Sequence, residues 1–173
     1  FPMVSFWFCS GLRVGEVIAL KWKDISRDWA EITIQRSLSR DHSDSGGGHF
    51  RREKETKTGL IRKLPITAPM EIYLKYRESF ASRPDNYIFT TCTGGAINPD
   101  SWRRTIWSRA LREAGVPYQA PKNIRHTLLS KAVNDPEIGL TGTAYIAGHT
   151  TTKTIQENYL GHLRATKLPS SDR

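Results

Sequence analysis

Cysteine is scarce in this chain: Cys9 and Cys92 are the only two among 173 residues, and they sit in unrelated contexts with no CxxC spacing. That excludes a disulfide-built scaffold and points to a reducing compartment, the cytoplasm. No apolar run approaches the roughly 20 residues that a membrane-spanning helix needs. The apolar start, Phe1-Pro2-Met3-Val4-Ser5-Phe6-Trp7-Phe8, has no basic segment before it and no small-residue cleavage site after it. It therefore reads as a helix entered partway rather than a secretory leader, and the chain is expected to be a fragment of a longer protein. His42, His49, His126, His149 and His162 form no HExxH or Cys–His pattern, so no metal site is expected. Internal repeats and linkers are also lacking.

Acidic residues are the other shortfall. Against 26 Lys and Arg stand 17 Asp and Glu, a formal net charge of +9 at pH 7. A balance this basic points to a polyanionic partner, nucleic acid first. What is plentiful is core material: 38% hydrophobic residues, with five Trp, argue against disorder and for one folded domain.

The periodicities predict a buried helix over residues 3–12 and a second over Val14–Lys21. Glu31–Gln35 alternates as a half-buried strand, and Leu60, Arg62, Leu64 and Ile66 alternate as another, with Pro65 marking an edge. Between them Asp41–Gly48 is polar and glycine-rich, a loop inserted in a hairpin. Tyr87–Phe89 is a short extended piece. A helix starting at Pro69 is expected to bury Ile72, Tyr73, Tyr76 and Phe80. Helices follow over Asp100–Ala114, Ile124–Val133, Thr141–Ala147 and Thr152–Leu160. The sum is a single α+β domain over 1–173, mostly helical, with a small three-stranded antiparallel sheet near the N-terminal third.

Cutting a phosphodiester without a metal makes definite demands. Negative charge grows on the non-bridging oxygens, and the planar fork of arginine meets it best. A nucleophile must attack in line and a proton donor must serve the leaving oxygen. Four segments offer such groups. Arg13, at a helix start after Gly11, has Glu16 one turn on to orient it. Lys57, before Thr58-Gly59, is read at a hairpin tip. Lys122 and Arg125 lie three apart at a helix N-terminus, where the dipole favours anions. His149 follows Gly148 at a turn, with Tyr159 ten residues further on. Taken singly, each reads as an ordinary surface charge, basic loop or structural histidine.

Together, in this order, the segments resemble the catalytic domain of the tyrosine recombinases, the phage integrase family. The stretch Gly11-Leu12-Arg13-Val14-Gly15-Glu16 with Leu20, Trp22, Asp24 and Ile25, and the stretch Ile124-Arg125-His126-Thr127, match that family nearly letter for letter, and the likeness runs from about Phe6 to His162. The resemblance implies Tyr159 as nucleophile, forming a 3′-phosphotyrosyl link to DNA. It implies Arg13 and Arg125 on the non-bridging oxygens, Lys57 as acid to the 5′ oxygen, and His149 and Lys122 as further donors. Lys122 stands where the family usually has histidine; a lysine cannot serve as a neutral base unless buried, so phosphate contact is its expected role. His149 is the candidate base. Tyr145 precedes His149 and is out of place for the nucleophile.

The same resemblance implies no cofactor, neither metal nor ATP, because the phosphotyrosine conserves the bond. It implies double-stranded DNA attachment sites as partner, a homo-tetramer on synapsed DNA, a monomer as an isolated domain, accessory DNA-bending or directionality proteins, and a missing upstream core-binding domain. Arg51, Arg52, Lys54 and Lys63 flank the hairpin as further candidate DNA contacts. Two alternatives stay open: strand passage like a type IB topoisomerase, and a DNA-binding module that has lost catalysis.

Overall fold

Helix α1 (Pro2–Ser10) is apolar nearly all round, and such a helix must be covered on several sides. The computed structural model, which describes residues 2–40, 51–55, 59–80 and 83–157, shows how. Phe6 and Trp7 are 0% and 2% exposed. Phe6 meets Phe89 with ring centroids 5.2 Å apart, and the Trp7 indole N–H donates to the Leu12 carbonyl at 2.6 Å. Leu12, Val17, Ile18, Ile32, Ile34, Leu74, Ile88 and Ile124 complete this main core.

One-turn helix α2 (Val14–Val17) follows, started by a capping box: the Arg13 backbone N–H donates to Glu16 Oε2 at 2.8 Å. A single 3-10 turn, Trp22–Asp24, repeats the device, with the Lys21 N–H donating to Asp24 Oδ2 at 2.8 Å.

The strands are β1 (Glu31–Ile34), β2 (Arg36–Arg40), β3 (Arg51–Glu55) and β4 (Arg62–Pro65). β1 pairs antiparallel with β4, and β2 with β3. The sheet class is as expected, but the strand count differs: the described residues form two two-stranded ladders instead of one three-stranded sheet. Tyr87–Phe89, expected as a short extended piece, contributes an isolated bridge from Tyr87 to Lys21. The register explains the break. Ile34 faces Arg62 and Arg36 faces Glu55, so on one arm Gln35 alone separates the two ladders. Lys57 and the Asp41–Gly48 loop lie outside the described residues.

Helix α3 (Ala68–Glu78) buries Met70 and Leu74 against α1. Ile72, Tyr76 and Phe80 are instead 66%, 59% and 62% exposed. Both sets have helical spacing, and the face matching α1 won. Helices α4 (Pro99–Trp102) and α5 (Ser108–Glu113) are joined by a π turn, Arg103–Trp107. In an α-helix, residues five apart point about 140° apart. The wider π turn aligns Trp102 with Trp107, whose rings stack at 5.7 Å. Helices α6 (Lys122–Ala132), α7 (Gly139–Ala147) and α8 (Lys153–Ile155) close a second, smaller core of Leu129, Val133, Ala144, Ala147 and Ile155.

Candidate active site

The site is built where α2, β4, α6 and α7 converge. Gly15 lets α2 lie directly on β2: a Cβ there would fall 2.4 Å from Ser37 Oγ and 2.8 Å from the Leu38 carbonyl. Glu16 is thereby pressed inside, 1% exposed, beside the equally buried Arg62 of β4. Arg62 Nη2 donates to Glu16 Oε2 at 2.8 Å and Nη1 to Oε1 at 3.2 Å. Arg13 Nη1 joins Oε1 at 3.1 Å. Burial alone would push the Glu16 carboxyl up, but the hydrogen bonds and charge of Arg62, then those of Arg13, more than offset it and hold it below its ordinary range. Glu16 is thus an anion at neutral pH, facing two guanidiniums.

The other wall is the C-terminus of α7. Gly148 is left-handed (φ +61°), and the His149 N–H donates to the Ala144 carbonyl at 3.0 Å, closing a Schellman turn. This end of a helix exposes carbonyls and the negative end of its dipole. Arg125 Nη2 donates to the Ala147 carbonyl at 2.7 Å and its Nη1 to the Gly11 carbonyl at 2.8 Å. Arg13 Nη2 donates to the Gly148 carbonyl at 3.3 Å. Backbone oxygens thus hold two guanidiniums from distant segments side by side. The Arg13 side chain remains 26% exposed, within reach of a ligand.

His149 is half-buried, and its Nδ1 is buried without a hydrogen-bond partner among the described residues. Burial first, then the charges of Arg125, Arg13 and Arg62, hold its imidazole below its ordinary value, so it is neutral at pH 7 and able to accept a proton. Lys122 is exposed at the start of α6. It shares a cleft of about 600 Å³ with Arg13, Arg103 and Arg125, whose other walls include Trp7, Val14, Asp100 and Trp102.

Arg13, Glu16, Lys122, Arg125 and His149, from separated segments of the chain, therefore lie together in the structure. Lys57 and Tyr159 lie outside the described residues. Lys54 and Lys63 are exposed on β3 and β4, and Lys63 Nζ pairs with Glu31 at 3.1 Å. Neither lines the cleft. Arg51 and Arg52 lie in β3, with side chains outside the described residues. The Tyr145 hydroxyl is engaged elsewhere: it donates to the Lys63 carbonyl at 2.9 Å and accepts from the Lys63 N–H at 3.2 Å. Sequence reasoning gave no role to Arg62 or to Arg103 in this site. For Arg62 a signal existed, because the β4 alternation places it on the same face as Leu64. Among the described residues no three His, Cys, Asp or Glu side chains gather as metal ligands, and no helix is long and apolar enough to cross a membrane.

The profile of the phage integrase family matches residues 2–165. A tyrosine recombinase XerC-like protein of Caldanaerobacter subterraneus subsp. tengcongensis is 30% identical over 141 residues, 72% of this chain and 36% of that protein. The integrase of Staphylococcus phage L54a is 27% identical over 162 residues, 87% of this chain and 44% of its own. The chain thus spans less than half the length of these curated relatives. Among solved structures, the Tn1549 transposon integrase in complex with a circular intermediate DNA superposes with a TM-score of 0.75 at 19% identity, over 91% of this chain and 53% of that one. XerA recombinase gives 0.62 at 19% identity, over 96% and 57%. At that identity the superpositions speak for the fold. The sequence match and the convergence of its boxes on one cleft lead to the same place: the chain belongs to the phage integrase family.

Proposed function

We propose that this chain is the catalytic unit of a site-specific DNA recombinase that cleaves and rejoins double-stranded attachment sites through Tyr159. The Tyr159 oxygen attacks the scissile phosphorus, the bond from phosphorus to the 5′ oxygen breaks, and a 3′-phosphotyrosyl ester forms. The phenolic proton passes to His149, and Lys57 supplies a proton to the departing 5′ oxygen. Arg13 and Arg125 hold the non-bridging oxygens, with Lys122 as a further cation. The ester keeps the bond energy, so religation by an incoming 5′ hydroxyl needs neither ATP nor a metal.

One observation carries this reading: Arg13 and Arg125, 112 positions apart in sequence, are anchored on the adjacent Ala147 and Gly148 carbonyls next to a neutral His149. That is a preorganised cationic pair with a proton acceptor beside it, which is what a charged phosphoryl transition state requires. The related Tn1549 integrase was solved with DNA, in keeping with a duplex partner. A tetramer on synapsed DNA in the cytoplasm, with accessory DNA-bending or directionality proteins, follows by the same family likeness, as does contact of Arg51, Arg52, Lys54 and Lys63 with flanking phosphates.

The test is trapping. Nicked duplexes tiling the DNA that flanks the coding sequence are incubated with the full-length protein and denatured in detergent. A covalent protein–DNA adduct is expected, and Tyr159→Phe abolishes it. An adduct that survives Tyr159→Phe removes the nucleophile assignment; no adduct with any duplex removes the reading.

A further inference from the structure

We infer that Arg62 is a positioning residue of this site: buried under it, Arg62 fixes the guanidinium of Arg13 through Glu16 and the turn carrying His149 through Gly148. The inference rests on the function proposed above.

The pleat of β4 turns Arg62 and Leu64 inward and Lys63 outward. The Arg62 side chain has no solvent contact, so its charge needs a fixed anion, and Glu16 takes both arms of its fork at 2.8 and 3.2 Å. The same two carboxylate oxygens then serve Arg13, Oε1 at the Arg13 guanidinium and Oε2 at its backbone N–H. With Glu16 pinned to a strand, the carboxylate cannot follow Arg13 if that side chain swings, so Arg13 returns to one place. On its other side the Arg62 guanidinium lies against Gly148. A Cβ at Gly148 would fall 2.7 Å from Arg62 Nη1 and 2.8 Å from its Cζ. One buried group therefore spaces α2 from the end of α7, the two elements that present Arg13 and His149.

Arg62 does not line the cleft, so it acts through these neighbours and not on substrate. Mere stability is a poor reason for it. The desolvation of a buried ion pair offsets most of its attraction, and apolar residues of like volume do as well. The fork, by contrast, gives an angular constraint that an apolar side chain cannot give. Arg62 also adds a third cation where one carboxylate stands, which leaves the cluster electropositive toward a phosphate.

The experiment compares the full-length protein with Arg62→Met and Arg62→Lys, using the nicked duplex that traps an adduct and the same duplex with a methylphosphonate at the scissile position. The methylphosphonate lacks the anionic oxygen that Arg13 is there to hold. On the phosphodiester, adduct formation in a single turnover is expected to slow by about 10- to 100-fold, as when an outer-shell partner of a site is removed, with gel-shift affinity for the duplex unchanged. On the methylphosphonate the difference from the parent should largely vanish. In an Arg13→Ala background, Arg62→Met should add little, because both act through one group. If Arg62→Met does not fold, Arg62→Lys, which keeps charge but loses the fork, carries the measurement. Cleavage at the parental rate overturns the inference, as does a defect of equal size on both substrates. Unfolding of both variants also overturns it, because the pair then serves the fold alone. If the parent itself forms no adduct, the proposed function falls instead.

Discussion

Two buried acids in this protein use one local device for different ends. Glu16 and Asp24 each close a capping box as its last residue, 1% and 3% exposed, and each receives an arginine from the strands. Arg62 of β4 grips Glu16; Arg36 of β2 donates to Asp24 at 2.5 Å, with the Gln35 amide adding a bond at 2.8 Å. They differ at the first residue of the box. Arg13 turns its head back to Glu16 and on to the Gly148 carbonyl, beside the cleft. Lys21 turns away, to Glu53 at 2.5 Å and over the Tyr87 ring at 5.2 Å. Under the function proposed above, the same clamp is structural where its cap residue faces the hairpin, and serves the site where that residue faces α7. Location of the head group, rather than strength of the clamp, separates the two.

Substituting each acid should break that comparison most forcefully. Glu16→Ala strands the fully buried Arg62, a loss of about 3–5 kcal/mol in urea unfolding, and Asp24→Ala strands the partly buried Arg36, a smaller loss. Assayed where both proteins remain folded, Glu16→Ala should also lose adduct formation by roughly 10²-fold or more, as on removing a fixed donor to the transition state. Asp24→Ala should leave cleavage by the folded protein unchanged. Equal losses in cleavage would mean the two clamps do not differ in kind.

A smaller effect is expected at Gly148. Alanine there must adopt the left-handed backbone, costing about 1–2 kcal/mol, and its Cβ would collide with the Arg62 guanidinium, an overpacking of about 1–3 kcal/mol. Relief by moving Arg62 would disturb Glu16 and Arg13, so adduct formation should fall along with stability. A Gly148→Ala protein that is destabilised yet cleaves normally would show that the α7 turn and the Glu16 clamp are mechanically independent.

What the sequence made legible is what is local. Arg13 with Glu16, Lys122 with Arg125, and Gly148 with His149 are each set by a cap or a turn within a few residues, and those devices can be read from neighbours. The order of helices was legible for the same reason. Arg62 was half legible: alternation put it on the inner face of β4, but its partner lies 46 residues earlier, and no local rule pairs them. The face of α3 was misread because Met70 and Leu74 share the same helical spacing as Ile72 and Tyr76, and only the position of α1 decides between them.

Acid should act on the functional clamp in two windows. His149 is held below its ordinary 6.5, mainly by burial and then by the arginines, so the unfolded chain takes up its proton first. Stability therefore begins to fall as pH drops below about 6.5. Glu16 is held below its ordinary 4.5 once Arg62 and Arg13 have outweighed its burial, so its contribution is whole above that value and is lost as pH falls through the lowered one. Urea midpoints against pH should show both limbs. His149→Gln should flatten the upper and Glu16→Gln the lower. A lower limb unchanged by Glu16→Gln would place the acid-sensitive carboxylate elsewhere.

The smallest effect separates two neighbours on one strand. Arg62 and Lys63 are adjacent in β4, one facing the site and the other the free edge, where the Tyr145 hydroxyl satisfies both the N–H and the carbonyl of Lys63. Tyr145→Phe removes that hydroxyl and leaves two backbone groups to water. Because this edge is exposed, the loss should be near the lower end of about 0.5–1.5 kcal/mol, and the adduct should form at the parental rate. Such a result would dismiss Tyr145 as nucleophile and show that β4 tolerates slackening at its outer edge. Should Tyr145→Phe slow cleavage as much as Arg62→Lys does, the placement of the strand as a whole, and not the fork of Arg62, would govern Arg13.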